Sequence, residues 1–182
     1  MRRGQWIIFR RTLAPSAKPA VESLPAAPAE ASKEIEGLGG TVDNSEARID
    51  WAKGIKDQGS GWEDYVGKEN PDATSLPPNA KTFDQFNEKT GEAISDKTLN
   101  TVSTNNITTP ERIYGQLRDY IDEIIDYEPR GENDLDPAEI QSKTLQLAIP
   151  EYTSPTQWQY ILRAIIYGKE NGVTVVITRI RD

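Results

Sequence analysis

The run from Val173 to Ile180 is β-branched almost throughout, and it follows a helix pattern that opens at Ser154-Pro155-Thr156-Gln157 and runs to Gly172. A strand with branched apolar side chains on both faces belongs inside a sheet covered by helices on both sides. The helix before it spreads Trp158, Tyr160, Ile161, Leu162, Ala164, Ile165, Ile166 and Tyr167 over more than one face, so it too packs centrally. A helix feeding a buried strand confines the chain to the α/β class.

The upstream pattern fills in the rest. Ile49, Trp51, Ala52 and Ile55 recur at helical spacing over Ser45 to Ile55, and Ser60-Gly61-Trp62-Glu63 opens a second short helix. Lys81 to Asn87 and Glu92 to Asn100 read as strands joined by a loop that ends in Gly91, a usual hairpin connection. Thr108-Thr109-Pro110-Glu111 has a capping-box pattern with an early proline, and Ile113, Leu117, Tyr120, Ile121, Ile124 and Ile125 follow on one face. Thr144 to Ile149 alternates Leu145 and Leu147 with polar residues until Pro150 stops it. The order α, α, β, β, α, β, α, β predicts a mixed central sheet flanked by helices, with the folded domain over 44–182.

Residues 1–43 read as a flexible tail or linker. Ala, Pro and Ser dominate from residue 12 to about 42, and such a segment cannot bury enough to repay its ordering entropy. The apolar stretch near Met1 is four residues long, against the roughly 7 to 15 of a signal-peptide core, and no run approaches the ~20 of a membrane-spanning helix.

The chain has no cysteine and no histidine. Disulfides, thiolate and imidazole metal sites and His-based catalysis are therefore excluded, and any metal must be held by oxygen. Residues 1–50 carry seven basic and seven acidic side chains; the other 132 carry 14 and 22, which accounts for the whole net charge of −8. An acidic domain is a poor passive binder of nucleic acid, because affinity comes largely from neutralising phosphates. An enzyme whose positive charge is confined to one cleft remains open.

Chemistry concentrates in the hairpin. Alternate side chains of a strand share a face, so Ser95 and Lys97 point one way and Asp96 the other, together with Ile94 and Thr98. Phosphodiester hydrolysis needs a cation that polarises the phosphate and binds the attacking water, and a positive group near the developing charge. Asp84 on one strand and a lysine two residues from another oxygen ligand on the next supply both.

Glu63, Asp84 and Ser95-Asp96-Lys97, within the stretch from Lys81 to Thr101, resemble the C-terminal nuclease toxin domains of contact-dependent growth inhibition (CDI) proteins. That family is a variant of the PD-(D/E)xK endonuclease superfamily, and its pattern is a helix glutamate, an aspartate and then Ser-x-Lys on the next strand. Here Glu63 precedes Asp84 by 21 positions, and Ser95 and Lys97 follow it at 11 and 13. The likeness runs on through Thr153-Ser154-Pro155-Thr156-Gln157-Trp158 and the closing helix and strand, and covers about 50–182.

The resemblance implies a restriction-endonuclease-like fold and a metal-dependent DNase toxin delivered into the cytoplasm of a target cell, with a cognate immunity protein as partner. It implies that Glu63, Asp84 and Ser95 organise a divalent ion while Lys97 orients the nucleophile or stabilises the transition state. By resemblance the ion is zinc; by the hardness of oxygen ligands, magnesium or manganese fits. Ser95 stands where most PD-(D/E)xK enzymes have a carboxylate, as it does in the CDI family. Asp96 stands where the family more often has an apolar residue, so it requires either a buried partner or a strand close to the sheet edge.

Other roles compete. Glu63 could close a capping box with Ser60, Asp84 could be a turn-entry residue, and Lys97 an ordinary solvated strand lysine. The acidic run Asp119 to Asp136 reads as a solvated face, Trp158 and Tyr160 as core, and Arg112, Lys143 and Arg163 as candidate phosphate contacts. The alternatives to a DNase are a tRNA- or RNA-cleaving toxin on the same fold, or a non-catalytic interaction domain.

Overall fold

A computed structural model describes residues 40–182, except the side chains of residues 55–57. The tail expected over 1–43 thus lies outside the described residues up to residue 39. Its last three residues do not continue it: Thr41–Asp43 form a strand (β1), so the folded unit begins before Asn44.

A six-stranded sheet runs in the order β1-β6-β5-β4-β3-β2. Its centre is β6 (Val173–Arg181), β5 (Ser142–Pro150) and β4 (Glu92–Thr98), all parallel, with β1 parallel to β6 at one edge. Beyond β4 the sheet turns antiparallel, through β3 (Gln85–Asn87) and β2 (Thr74–Ser75). This is the expected mixed sheet, with the short edge strands β1 and β2 added. Val173 to Ile180 lies inside it, between β5 and β1.

Parity along β5 divides the core. Leu145, Leu147 and Ile149 are fully buried against α4 (Glu111–Ile125) and α5 (Pro155–Glu170), which contribute Ile113, Leu117, Ile121, Ile124, Trp158, Ile161 and Ala164. On the other face Ala148 and Ile180 pack with Trp62 and Val66 of α2 (Ile55–Glu69). Each such aliphatic side chain, taken fully from water, contributes roughly 1.5–3 kcal/mol, so the strand with apolar residues on both faces anchors the molecule. Among the described residues no helix is long and apolar enough to cross a membrane.

The helices differ from expectation where local bonding overrides periodicity. The pattern over Ser45 to Ile55 yields only α1 (Asn44–Ala47). Arg48 turns left-handed at φ 54°, and the Asn44 side chain both accepts from the Ile49 N–H and donates to its carbonyl, each at 2.9 Å. An asparagine that satisfies the backbone in this way offers it an alternative to helix. Helix α2 begins at Ile55 rather than Ser60, with Gly61 in its interior. A Cβ there would sit 2.6 Å from the Arg48 carbonyl oxygen and 2.8 Å from that of Ala47, so Gly61 marks close packing on α1, not a helix start.

Near Thr108 the expected capping box does not form. Thr108 Oγ1 donates back to the carbonyl of Thr104 at 2.9 Å, within an unforeseen short helix, α3 (Thr104–Thr108), and α4 starts after Pro110 without a side-chain cap. The box at Ser154 and Gln157 does form. The first hairpin strand is shorter than Lys81–Asn87, because Thr82 adopts a left-handed φ of 67° that an extended strand cannot contain. The hairpin closes at Gly91, where φ is +68° and a Cβ would meet Gln141 Cγ at 2.5 Å.

Candidate active site

The fork where β3 and β4 meet beside the last turns before α3 gathers the residues singled out in the sequence. Asp84 precedes β3 yet continues its pairing, since its N–H donates to the Ile94 carbonyl at 2.8 Å. Its Oδ2 accepts the Asp96 N–H at 2.7 Å and lies 3.5 Å from Lys97 Nζ. Both side chains of this ion pair are about three-quarters covered, at 26% and 30% exposure for Lys97 and Asp84, so the pair is partly shielded from water yet accessible. Asp84 thus lies directly before β3 and is tied to β4 by two hydrogen bonds.

Glu63 lies within α2, eight residues past its start, which removes the capping-box reading. Its carboxyl is raised above the usual carboxylate range, first by burial and then by the charge of Asp84, with Lys97 acting the other way. Two carboxylates and one lysine sum to a net negative group, which a bound cation would offset.

Ser95 and Lys97 share a face, as strand parity requires, since they stand opposite Leu145 and Leu147 of β5. Ser95 is completely buried, and its Oγ has no hydrogen-bonding partner among the described residues. An orphaned buried hydroxyl, two residues from Lys97 on the same strand face, is an oxygen donor that the protein leaves unused. Among the described residues no three carboxylates come together in a group that could hold a metal ion.

Asp96 resolves as buried, at 4% exposure, and not as an edge residue. Gln85 Nε2 donates to its Oδ2 at 2.5 Å. Asn70, which ends α2, donates to the side-chain oxygens of Gln85 and of Gln146, both at 3.3 Å. Burial pushes the Asp96 carboxyl up to about 7, the Gln85 hydrogen bond opposes this, and the charges of Asp84 and Glu63 add to it. Gln85, Asn70 and Gln146 were not singled out in the sequence. The available signal was a glutamine at an inward strand position, between Asp84 and Phe86, in register with the face that carries Asp96.

The expected phosphate contacts separate. Lys143 Nζ donates to the Ile124 carbonyl at 2.9 Å and so closes the C-terminus of α4. The Arg163 guanidinium lies 4.5 Å from the centre of the Tyr114 ring. Arg112 is exposed at the start of α4. Trp158 is core, whereas Tyr160 is only partly buried. In the acidic run, Asp134 organises a loop by accepting N–H groups from Lys81, Arg130 and Gly131. Two surface hollows, of about 260 and 360 Å³, are lined by neither Asp84, Ser95 nor Lys97.

The family model for the CDI toxin restriction endonuclease-like domain matches residues 58–178, which hold most of α2, the hairpin and all four candidate residues. The chain belongs to this family. Among its relatives in the CDI toxin family, the deoxyribonuclease CdiA of Yersinia pseudotuberculosis serotype O:3 (strain YPIII) is 38% identical over 143 residues, 78% of this chain and 13% of that protein. The deoxyribonuclease CdiA-o11 of Escherichia coli O157:H7 (strain EC869) is 38% identical over 144 residues, again 78% of this chain and 38% of that protein. The chain therefore spans a minor part of either relative's length. The solved CdiA-CT/CdiI toxin and immunity complex from Yersinia pseudotuberculosis aligns with a TM-score of 0.59 and 39% identity, over 65% of this chain and 97% of that one.

Proposed function

We propose that this domain is a metal-dependent endodeoxyribonuclease toxin. The observation that carries the reading is the partly shielded Asp84–Lys97 pair at 3.5 Å, with Glu63, whose carboxyl is raised first by burial and then by the charge of Asp84, near it. The two similar proteins named deoxyribonucleases support DNA as the substrate.

Glu63, Asp84 and the Ser95 hydroxyl would hold a divalent ion, with zinc suggested by the family and magnesium or manganese by hardness. When bound, such an ion supplies Lewis acidity at a phosphoryl oxygen and lowers the pKa of a coordinated water. Lys97 supplies a fixed positive charge to the pentavalent phosphorane as its negative charge grows. Asp84 holds that ammonium in place, and the two backbone hydrogen bonds hold Asp84. The shielding of the pair strengthens each of these interactions relative to bulk water.

The toxin/immunity complex of the similar Yersinia protein supports a cognate immunity protein as partner here, and delivery into a target cell as the setting. The test is nicking of supercoiled plasmid, in EDTA and then with zinc, magnesium or manganese. We expect metal-dependent nicking that Asp84→Ala abolishes and Lys97→Ala lowers by about 100-fold or more, the usual scale for removing one charge-stabilising group. Cleavage of total tRNA but not plasmid would move the substrate to RNA. Wild-type protein that is folded by circular dichroism yet cleaves neither would leave a non-catalytic interaction domain.

A further inference from the structure

The strand that presents Asp84 is held weakly by its backbone. β3 has three residues, its outer neighbour β2 has two, and short outer strands supply few ladder bonds. Yet the Asp84 carboxylate has to meet Lys97 of β4 and Glu63 of α2, three elements whose relative placement the ladder alone does not determine.

Beneath the fork, on the face that α2 covers, lies a chain of amide and carboxylate groups joining these same elements. Gln85 is 2% exposed and Asp96 4%. Gln85 Nε2 donates to Asp96 Oδ2, and Asn70 Nδ2 donates to Gln85 Oε1 and Gln146 Oε1, linking β4, β3, α2 and β5 in turn. Gln85 follows Asp84 directly. The Asp96 N–H is the group that binds Asp84 Oδ2, and Asn70 sits seven residues, about two helical turns, beyond Glu63 on the same helix.

Resting on the reading of Glu63, Asp84 and Lys97 given above, we propose that Asp96 and Gln85 are positioning residues: their buried hydrogen bond, tied to α2 through Asn70, sets the register that brings the three together. Apolar side chains of similar volume could fill this face without the desolvation cost of buried polar groups. A hydrogen bond adds direction. Sliding β3 by one residue against β4 would turn Gln85 out and leave Asp96 unpaired, so slipped pairings are disfavoured.

The orientation of the network provides its own test. Gln85 Oε1 only accepts from Asn70, so a glutamate at this position keeps that bond. Its other oxygen, however, would lack the amide hydrogen that Gln85 gives to Asp96 Oδ2, leaving at most one proton shared between two carboxyls. Gln85→Glu alone should therefore loosen the clamp. The double variant Gln85→Glu/Asp96→Asn rebuilds it with donor and acceptor exchanged and the charge conserved.

The experiment is plasmid cleavage with saturating magnesium or manganese, with kcat and KM measured for wild type, both variants and Asp84→Ala, and folding checked by circular dichroism and melting. We expect Gln85→Glu to lower kcat by about 100-fold, the scale of a misplacement near 1 Å, with KM nearly unchanged, and the double variant to return to within about threefold of wild type. Gln85→Met, which removes the donor without adding charge, replaces Gln85→Glu if the latter does not fold, and should lower kcat in the same direction. Retention of wild-type kcat by the folded single variant, or failure of a folded double variant to recover, would overturn the proposal. Asp84→Ala with full activity would instead overturn the reading of the site itself, so the two failures are distinguishable.

Discussion

Replacing Asp96 by asparagine should flatten the dependence of stability on pH between about pH 4 and 8. Folding raises this carboxyl from its ordinary 3.8 to about 7, chiefly by burial. Within that window the folded protein keeps a proton that the unfolded chain has released. The unfolded state then binds fewer protons, and stability falls as pH rises. The contribution is fully present below about pH 4 and lost as pH climbs through 7. At ~1.4 kcal/mol per unit over roughly three units, the loss approaches about 4 kcal/mol as an upper figure. The substituted asparagine has the same shape, never ionises and can still accept from Gln85 Nε2 through its carbonyl oxygen. Wild type and Asp96→Asn should match within about 1 kcal/mol at pH 4.5, and the variant should be the more stable at pH 8, by up to ~10 °C in melting temperature for a domain of this size. The assay is thermal and urea unfolding from pH 4.5 to 8 in EDTA. Glu63, raised in the same sense, and Asp43 and Asp134, lowered by their hydrogen bonds, titrate in both proteins and cancel in the difference. Parallel pH–stability curves, or a variant less stable at pH 8, would refute the reasoning.

Leu147→Ala should cost about 2–5 kcal/mol in urea unfolding, because the side chain is fully buried in the main core, where the fold cannot collapse onto the void. Gln157→Ala should cost about 2–3 kcal/mol in melting experiments: it removes half of the capping box at Ser154 and leaves the Thr101 and Asn106 carbonyls without the Nε2 donor they share.

Where periodicity was long and branched residues were dense, the chain could be read directly. Val173 to Ile180, the alternation about Leu145 and Leu147, and the capped helix from Ser154 each obey a rule that acts within a few residues, and each appears in the fold with boundaries shifted only slightly. The hairpin and its strand parity were legible for the same reason, including Ser95 and Lys97 on one face and Asp96 on the other. The absence of histidine and cysteine by itself limited the chemistry to oxygen ligands and lysine.

Other features exist only through contacts distant in sequence. β1 is three residues of unremarkable composition that become a strand because β6 offers a free parallel edge. Helix α2 runs through Gly61 because the carbonyls of Ala47 and Arg48 press against it. Lys143, a lone basic residue in the sequence, is taken up by the end of α4. The partner that Asp96 needed is Gln85, 11 positions earlier, and the helix end that steadies Gln85 is Asn70, 15 positions earlier still. Sequence alone determined which residue types stand at alternating strand positions, because that periodicity is a property of the local backbone. Only tertiary structure decided which of them meet, because a hydrogen bond between side chains of different elements depends on register and packing that no single segment specifies.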